Sequence, residues 1–458
     1  MEDKKNDKKI ILKRKAYNKM QQWKSEHAPD YALFIKGARR TGKTTLAEEL
    51  GKNEYKSFIT VNFQEANDDI KNLFVNGLMD LDLFFSTLEL VYKTKLYPGS
   101  SLIILDEIQL FPEARQALKT LLVDKRFHYI ETGSLAGIVK KSQKKSILIP
   151  SEEEDLEIYP LDFEEFLWAI GDEITFPVIQ EHNRTLTPFG QAAFRQMMNL
   201  FRTYMCVGGM PQSVIAYVKN KDYSASDFAK RAILKLYRND TKEQHDTNAG
   251  YVGNLFDNIP SELSKHDKEF VLTHINESAR LSRYNESIGW LEDAMIVNIA
   301  RNVTEPSAAL SLSMDSLRFK MYMGDTGLLI NLAFDDGTYL DNEYYRCILM
   351  DKLHINEGMF IENMVAQCLR ANGHKIRYHS KVDKKSKRTV REVDFIVRNG
   401  MKIIPIEVKS SDHKSLKSLI DFRTVYSNIV GCGIVLHNGD IKKDGEIIYL
   451  PYFMASVI

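Results

Sequence analysis

Apolar runs alternate with helical patterns over the first third of the chain. Short, largely apolar stretches predict four strands, at 31–36, 58–63, 101–106 and 127–134. Apolar residues at helical spacing predict three helices, at 10–28, 45–51 and 80–92. Strands that alternate with helices in this way predict a parallel sheet covered on both faces, which is a doubly wound α/β fold.

The loop after the first strand has the spacing G-x-x-x-x-G-K-[ST], which is typical of phosphate-binding loops. Its residues are Gly37, Ala38, Arg39, Arg40, Thr41, Gly42, Lys43 and Thr44, and Thr45 begins the next helix. Gly37 and Gly42 allow the backbone to point N–H groups at an anion, and the helix adds its positive dipole end. Lys43 would bring positive charge to the β- and γ-phosphates, and the Thr44 hydroxyl would bind Mg²⁺. We therefore predict that residues 37–45 bind nucleotide.

Two adjacent carboxylates, Asp106 and Glu107, stand at the end of the apolar strand at 101–106. Open α/β sheets place their ligands at the carboxyl ends of the strands. Asp106 is therefore predicted to hold Mg²⁺, and Glu107 to act as the general base for the attacking water. Lys43 and Glu107 are the predicted catalytic residues. The alternative is an Asp-Glu helix cap, but the upstream phosphate loop favours the catalytic interpretation.

The strand at 127–134 ends in small polar residues, Thr132, Gly133 and Ser134. A hydroxyl at this strand end is placed to sense the γ-phosphate, and both Thr132 and Ser134 are candidates. We count Ser134 among the predicted nucleotide-binding residues. A helix-capping role for Ser134 is nearly as good an interpretation, and the spacing does not separate the two.

The composition is that of a globular protein with more than one domain. The chain has 458 residues, of which 44% are hydrophobic and 27% charged, and its formal net charge is +0. This length predicts about three domains, and a basic surface for nucleic acid would have to be local. Four cysteines without a C-x-x-C pair, and the lack of an apolar run of membrane-spanning length, predict a cytoplasmic protein with no membrane partner. Opposite charge runs at 140–145 and 151–155 predict an exposed loop or hairpin.

The ordered set of motifs resembles the prokaryotic AAA-type ATPases of the AAA+/STAND-like group. The segments that carry the resemblance are 39–45, 105–109, 132–134, 159–167, 204–211, 325–329 and 406–409. The resemblance implies ATP and Mg²⁺ as ligands, a helical lid, and a C-terminal half of unknown function. The predicted divisions are a tail and helix at 1–28, an ATPase core at 29–160, the lid at 161–248, a winged-helix-like domain at 249–338 and a last domain at 339–458.

The winged-helix prediction depends on three short helical segments followed by two strands. Many winged helices read DNA with the third helix, which here covers 284–295. That segment contains three acids and no basic residue. Because phosphate contacts need cations, packing between domains is favoured over DNA reading.

The last domain resembles PD-(D/E)XK nucleases at four positions, Glu362, Asp394, Glu407 and Lys409. Asp394 and Glu407 on paired strands would form an oxygen-ligand site for Mg²⁺, with Lys409 on the same face as Glu407 to activate a water. Glu362 would steer the metal or orient Lys409. The alternative is a common edge strand with a buried ion pair between Asp394 and Lys409. The basic run at 381–387 is either a phosphate-contacting loop or a solvated hairpin.

The predicted architecture is therefore an α/β P-loop NTPase sheet with a helical lid, a winged-helix domain and a restriction-endonuclease-like α/β domain. The predicted function is Mg²⁺-dependent ATP hydrolysis in which the nucleotide state regulates the nuclease-like domain. ATP is preferred because the sequence has no evident guanine-reading N-K-x-D motif. The alternatives are a slow STAND-like switch that assembles partners, and an ATP-gated metal-dependent nuclease. Predicted partners are ATP, DNA or RNA at the last domain, and a second copy of the chain.

Overall fold

The computed structural model describes most of the chain in ten segments. These are residues 10–134, 151–242, 249–265, 268–270, 281–307, 309–335, 340–350, 357–382, 389–409 and 416–458. The charge run at 140–145 and most of the basic run at 381–387 lie outside them, as do residues 271–280 of the predicted winged helix. The chain forms two units: an N-terminal unit of Ile11–Tyr159 with Asp293–Met295, and a C-terminal unit that includes Pro160–Glu292 and Ile296–Ile458.

The N-terminal unit is built on a five-stranded sheet whose strand pairs are all parallel, in the order β2-β3-β4-β1-β5. The strands are β1 (Ala32–Lys36), β2 (Ser57–Asn62), β3 (Ser101–Asp106), β4 (His128–Gly133) and β5 (Glu153–Glu157). The helices are α1 (Lys15–Glu26), α2 (Lys43–Glu54), α3 (Asp68–Asn76), α4 (Leu81–Tyr92) and α5 (Pro112–Asp124). The predicted parallel α/β fold is confirmed for this unit.

Each face of this sheet has its own hydrophobic core. Because neighbouring side chains on a strand point to opposite faces, Phe34 and Leu105 pack with residues of α3, α4 and α5. Leu33, Ile35 and Ile104 pack on the other face with residues of α1 and α2. All six residues of β3 are buried, as the apolar run that ends in Asp106 predicts.

The acidic run at 151–155, predicted as part of an exposed loop or hairpin, instead leads into β5, an edge strand of the parallel sheet. Glu153–Glu157 pairs in parallel with β1, although acids are unfavourable in strands. The acids are neutralised by basic side chains from other elements. Arg115 Nε donates to Glu153 Oε1 at 2.8 Å, and Lys36 Nζ donates to Asp155 Oδ2 at 2.7 Å. A run of charged residues can therefore form a strand when side chains from distant parts of the chain supply its counter-ions.

The C-terminal unit combines helices with a mixed sheet. Its helices are Phe163–Ala169, Thr175–Thr185, Gln191–Val207, Pro211–Asn220, Tyr223–Lys242, Ala249–Leu263, Leu281–Asp293, Thr326–Ala333, Asn342–Leu349, Glu357–Ala371 and Lys417–Val425. The segment predicted as a helical lid, at 161–248, is mostly helical where the structure describes it. Among the described residues, no helix is both long and apolar enough to span a bilayer.

The sheet of the C-terminal unit has eight strands in the order β12-β13-β11-β10-β9-β8-β6-β7. They are β6 (Val297–Val303), β7 (Met314–Met323), β8 (Arg377–Val382), β9 (Thr389–Asn399), β10 (Lys402–Val408), β11 (Gly433–His437), β12 (Lys442–Asp444) and β13 (Ile447–Pro451). The two strands predicted for the winged helix, β6 and β7, form an antiparallel pair, and β6 also pairs with β8. The predicted division at 338/339 therefore separates strands that belong to one sheet.

Candidate active site

The predicted phosphate loop connects β1 to α2 and has the backbone that its glycines allow. Gly42 is the residue before α2 and has a φ of 94°, in the left-handed region that glycine adopts without strain. A Cβ at Gly37 would overlap the carbonyl oxygen of Ile158. Both glycines of the motif are therefore required by the local geometry.

Lys43 is buried within this loop. Its Nζ donates to the carbonyl oxygens of Gly37 and Ala38, each at 3.0 Å. Burial lowers the pKa of Lys43 to about 8, although the nearby Glu107 and Asp106 carboxylates act to raise it. Phosphate oxygens of a nucleotide would offer this ammonium stronger, charged acceptors than the two carbonyls.

The Asp106 carboxylate is surrounded by neutral donors. Thr44 Oγ1 donates to its Oδ1 at 2.6 Å, and Asn62 Nδ2 donates to its Oδ2 at 3.0 Å. The Thr132 hydroxyl also donates to Oδ1. These residues come from the start of α2 and from the carboxyl ends of β2, β3 and β4. The parallel sheet thus brings the predicted Mg²⁺ residues Thr44 and Asp106 together.

Asn62 was missed by the sequence analysis. It ends β2 and lies in register with Asp106 on β3, so its position follows from the strand pairing. The polar residue at the end of the strand at 58–63 was the only signal. Of the two γ-phosphate candidates, Thr132 on β4 reaches Asp106. Ser134, which follows β4, contributes its backbone N–H, which donates to Gln109 Oε1 at 3.3 Å.

Glu107 follows β3 with a φ of 55°, an uncommon value for a residue with a side chain. It precedes the short 3-10 helix Ile108–Leu110 and makes no side-chain cap bond to it, which disfavours the helix-cap alternative. The amide nitrogen of Gln109 donates to the Glu107 carboxylate. A Cβ at Gly133 would lie 2.6 Å from Gln109 Oε1, so the small residue at 133 makes room for this amide. Gln109 thus links the predicted base to the end of β4, and no sequence pattern pointed to that role.

Arg14 also reaches the phosphate loop. This residue precedes α1, and its guanidinium donates to the carbonyl oxygens of Thr41 at 3.0 Å and Tyr159 at 2.7 Å. Sequence spacing gave no signal for it, because Arg14 is remote from both partners along the chain.

The donor set around Thr44 and Asp106 fits Mg²⁺. Mg²⁺ in nucleotide sites takes one or two protein oxygens, with phosphates and waters completing the octahedron. A hydroxyl and a carboxylate 2.6 Å apart beside the phosphate loop supply those protein oxygens. Across the described residues, no group of three or more His, Cys, Asp or Glu side chains could hold a metal ion by itself.

The four nuclease-like residues are brought into one region of the C-terminal unit, as two connected pairs. Lys409 Nζ donates to Glu407 Oε1 at 2.5 Å. Asp394 Oδ2 accepts from the Val408 backbone N–H at 2.8 Å. Glu362 and Asp394 are bridged by a lysine that the sequence analysis missed, Lys320. The predicted alternative of an Asp394–Lys409 ion pair does not occur, because each residue has a different partner.

Lys320 lies on β7 and is 1% exposed. Its Nζ is 2.9 Å from Glu392 Oε1, 3.5 Å from Glu362 Oε1 and 3.7 Å from Asp394 Oδ1. The ammonium of Lys268 forms a second ion pair with Glu362. This cluster of Lys320, Lys268, Glu362, Glu392 and Asp394 is named the lysine-carboxylate centre below.

The pKa values of the groups in and next to this centre are set by burial and by the charges of the neighbouring side chains. Burial alone would raise the pKa of Glu362, but the ammoniums of Lys320 and Lys268 lower it to about 2. Burial would lower the pKa of Lys320, but Tyr322 and the surrounding carboxylates raise it well above its ordinary value. Burial and the neighbouring Asp394 raise the pKa of Glu407 to about 8, against the effect of Lys409. Glu362 and Lys320 therefore form a stable pair of opposite charges.

Comparison with known families identifies three segments of the chain. Residues 29–167 match the family model of an AAA domain, and this segment contains the phosphate loop, Asp106, Glu107 and Thr132. Residues 198–338 and 357–453 match two different domains of unknown function. The N-terminal unit therefore carries an AAA-type P-loop domain, as the motifs predict. No curated protein sequence matches the chain.

Several solved structures match the chain at low similarity. The Aeropyrum pernix ORC2 protein, in ADPNP–ADP complexes, is 12% identical over 76% of this chain and 98% of its own, with a TM-score of 0.40. AMPPCP-bound DnaA from Aquifex aeolicus is 14% identical over 62% of this chain and 90% of its own, with a TM-score of 0.27. A Thermotoga maritima RuvB mutant is 13% identical over 64% of this chain and 90% of its own, with a TM-score of 0.28. Likenesses this remote carry no argument about function.

Proposed function

We propose that the AAA domain binds ATP with Mg²⁺ and hydrolyses it. The observation that carries this proposal is the convergence of Thr44, Asn62 and Thr132 on Asp106, beside a phosphate loop that contains a buried lysine. ATP rather than GTP follows from the lack of an evident guanine-reading motif in the sequence.

In the proposed reaction the phosphate loop binds the triphosphate and Lys43 neutralises its β- and γ-phosphates. Mg²⁺, held by Thr44 and Asp106, would neutralise charge on the phosphate oxygens. Glu107 accepts a proton from a water molecule while the oxygen of that water forms a bond to the γ-phosphorus. The bond between that phosphorus and the bridging oxygen breaks at the same time, and ADP leaves with the bond's electrons. Thr132, which already touches Asp106, is the better of the two β4 candidates for sensing the γ-phosphate.

Two variants test the assignment. Lys43→Ala should abolish nucleotide binding, because it removes the cation at the phosphates. Glu107→Gln should leave ATP binding intact and reduce turnover by about 10²–10⁴-fold, the usual contribution of a general base. Binding of a fluorescent ATP analogue and phosphate release measure the two effects separately. Equal turnover in Glu107→Gln and the wild type would refute the role of Glu107.

A slow STAND-like switch is the competing proposal for the same site. It needs the same binding residues but a turnover far below that of an ordinary ATPase, together with nucleotide-dependent assembly. Single-turnover kinetics and light scattering with ATP or ADP distinguish the two.

Four further properties stay predictions: self-association, a cytoplasmic location, regulation of the C-terminal unit by nucleotide, and nucleic-acid binding by that unit. Hydrogen exchange of the C-terminal unit with and without ATP tests the regulation.

Metal-dependent phosphodiester cleavage is the third proposal from the sequence, and the geometry does not favour it. Its metal site needs carboxylates that can converge on a divalent ion. Glu362 and Asp394 instead converge on Lys320, and Glu407 is engaged by Lys409.

A further inference from the structure

The lysine-carboxylate centre already contains a cation at the point where its carboxylates converge. Glu392 and Asp394 of β9 and Glu362 of the helix Glu357–Ala371 approach Lys320 Nζ at 2.9, 3.7 and 3.5 Å, respectively. A divalent ion would need these oxygens at about 2.0–2.6 Å from one common point. The ammonium and a metal ion therefore compete for the same space and the same oxygens.

The surroundings hold the ammonium in place. Tyr322 donates to Glu362 Oε1 at 2.6 Å, and the Tyr378 ring centroid lies 5.2 Å from Lys320 Nζ. Lys320 is only 1% exposed, so its charged end is buried among these groups.

Glu362 is likewise fixed relative to β7. Its helix, Glu357–Ala371, is attached through Asn363, whose Oδ1 accepts from the Met323 N–H at 2.7 Å. One turn later, Gln367 Oε1 accepts from the Thr326 N–H at 2.8 Å. These two bonds attach the helix to the end of β7, at Met323, and to the segment just after it, at Thr326. The distance between Lys320 and Glu362 is therefore set by backbone anchors rather than by the two charges alone.

We propose that Lys320 is a built-in replacement for a divalent metal ion, so that this nuclease-like centre binds neither Mg²⁺ nor Mn²⁺. The inference is independent of ATP hydrolysis by the AAA domain. Glu362, Glu392 and Asp394 do not form a metal site as they stand. Removal of the ammonium should allow them to draw together around a metal ion, because three carboxylates would then face one another with too little positive charge.

The test is Mn²⁺ binding to the full-length protein without nucleotide, measured by electron paramagnetic resonance. The wild type should show no binding that depends on Asp394, so Asp394→Asn should leave its Mn²⁺ titration unchanged. Lys320→Met should gain one Mn²⁺ site, with an affinity at least about tenfold above the wild type. The double variant Lys320→Met/Asp394→Asn should lose that site. Lys443→Met removes an exposed lysine of the same unit and is the matched control.

Two results would overturn the proposal. One is Mn²⁺ binding by the wild type that Asp394→Asn removes, and the other is a folded Lys320→Met protein that gains no site. If Lys320→Met does not fold, Lys320→Met/Glu362→Gln removes one charge of each sign and leaves Glu392 and Asp394 to bind Mn²⁺. Melting temperature gives a second readout, because a ligand that binds only the folded state stabilises it. Mn²⁺ should raise the melting temperature of the lysine variants and leave that of the wild type unchanged.

Discussion

Both units of this protein place carboxylates where sheet strands and helices converge, but they compensate the negative charge differently. Asp106 receives hydrogen bonds from two hydroxyls and an amide, none of which carries a charge. Glu362 and Asp394 face the ammonium of Lys320. Neutral donors orient a carboxylate and leave its charge available to a cation from solution. An ammonium orients the carboxylate and also cancels its charge.

This difference shows why acids in the right order do not establish a metal site. Both regions have the residue types that Mg²⁺ chemistry uses, and the sequence predicts Mg²⁺ ligands in both: Asp106 in the first, and Asp394 with Glu407 in the second. The feature that separates them is the charge of the neighbouring donors, which come from other strands and helices. Exchanging the donors between the two centres should therefore exchange their behaviour.

The largest effect is expected from removing the ammonium of the lysine-carboxylate centre. Lys320→Met should lower the free energy of unfolding by about 3–5 kcal/mol, because it leaves buried carboxylates without their partner. Urea denaturation measures this change, and Lys320→Met/Glu362→Gln should recover part of the loss. The exposed Lys443→Met should stay within about 0.5 kcal/mol of the wild type. A Lys320→Met protein as stable as the wild type would mean that the ion pairs contribute little.

A smaller but still large effect is expected from placing an ammonium in the first centre. Asn62→Lys would place a cation beside Asp106, in the way that Lys320 lies beside Asp394. This variant should reduce ATP turnover by roughly 100-fold, the scale of a misplaced catalytic group. The control Asn62→Leu loses one hydrogen bond without adding charge and should cost roughly fivefold, about 1 kcal/mol. Steady-state phosphate release at saturating Mg²⁺ measures both. Equal losses in the two variants would show that hydrogen bonding, not charge, distinguishes the centres.

The smallest effect concerns pH. Burial lowers the pKa of Lys43 to about 8, so its ammonium is present below pH 8 and is lost as the pH rises above it. Since nucleotide binding requires the ammonium, ATP affinity should be nearly constant from pH 7 to the pKa and then fall by at most about tenfold per pH unit. Titrations with a fluorescent ATP analogue between pH 7 and 9.5 measure it. Lys43→Arg keeps its charge throughout, so its affinity should be flat in this range; a parallel decline in both proteins would assign the effect to another group.

The sequence predicts those sites whose functional residues lie a few positions apart along the chain. Residues 37–44 and the strand that ends in Asp106 each contain their chemistry within a few positions, and both were recognised. Asn62 was not, because its contact with Asp106 depends on the register of β2 against β3. The same limit explains β5, whose acids look unsuited to a strand until Arg115 and Lys36 are placed beside them.

The C-terminal unit illustrates the limit more strongly. The order of Glu362, Asp394, Glu407 and Lys409 indicates a site, but Lys320 lies on β7, which two strands separate from β9 in the sheet. A lysine on a strand has no sequence feature that distinguishes a buried counter-ion from a solvated side chain. The predicted separation at 338/339 hid the contact further, because it placed Lys320 and Asp394 in different domains.

The bonds of Arg14 bear on where a working fragment of this protein should be cut. The family match begins at residue 29, yet Arg14 joins the phosphate loop at Thr41 to Tyr159, near the far end of the same unit. Met20 and Trp23 of α1 belong to the core on that side of the sheet. A fragment that begins at residue 29 would lose the hydrogen bonds of Arg14 and would expose the hydrophobic core surface that α1 covers. The practical start of this AAA module therefore lies before Arg14.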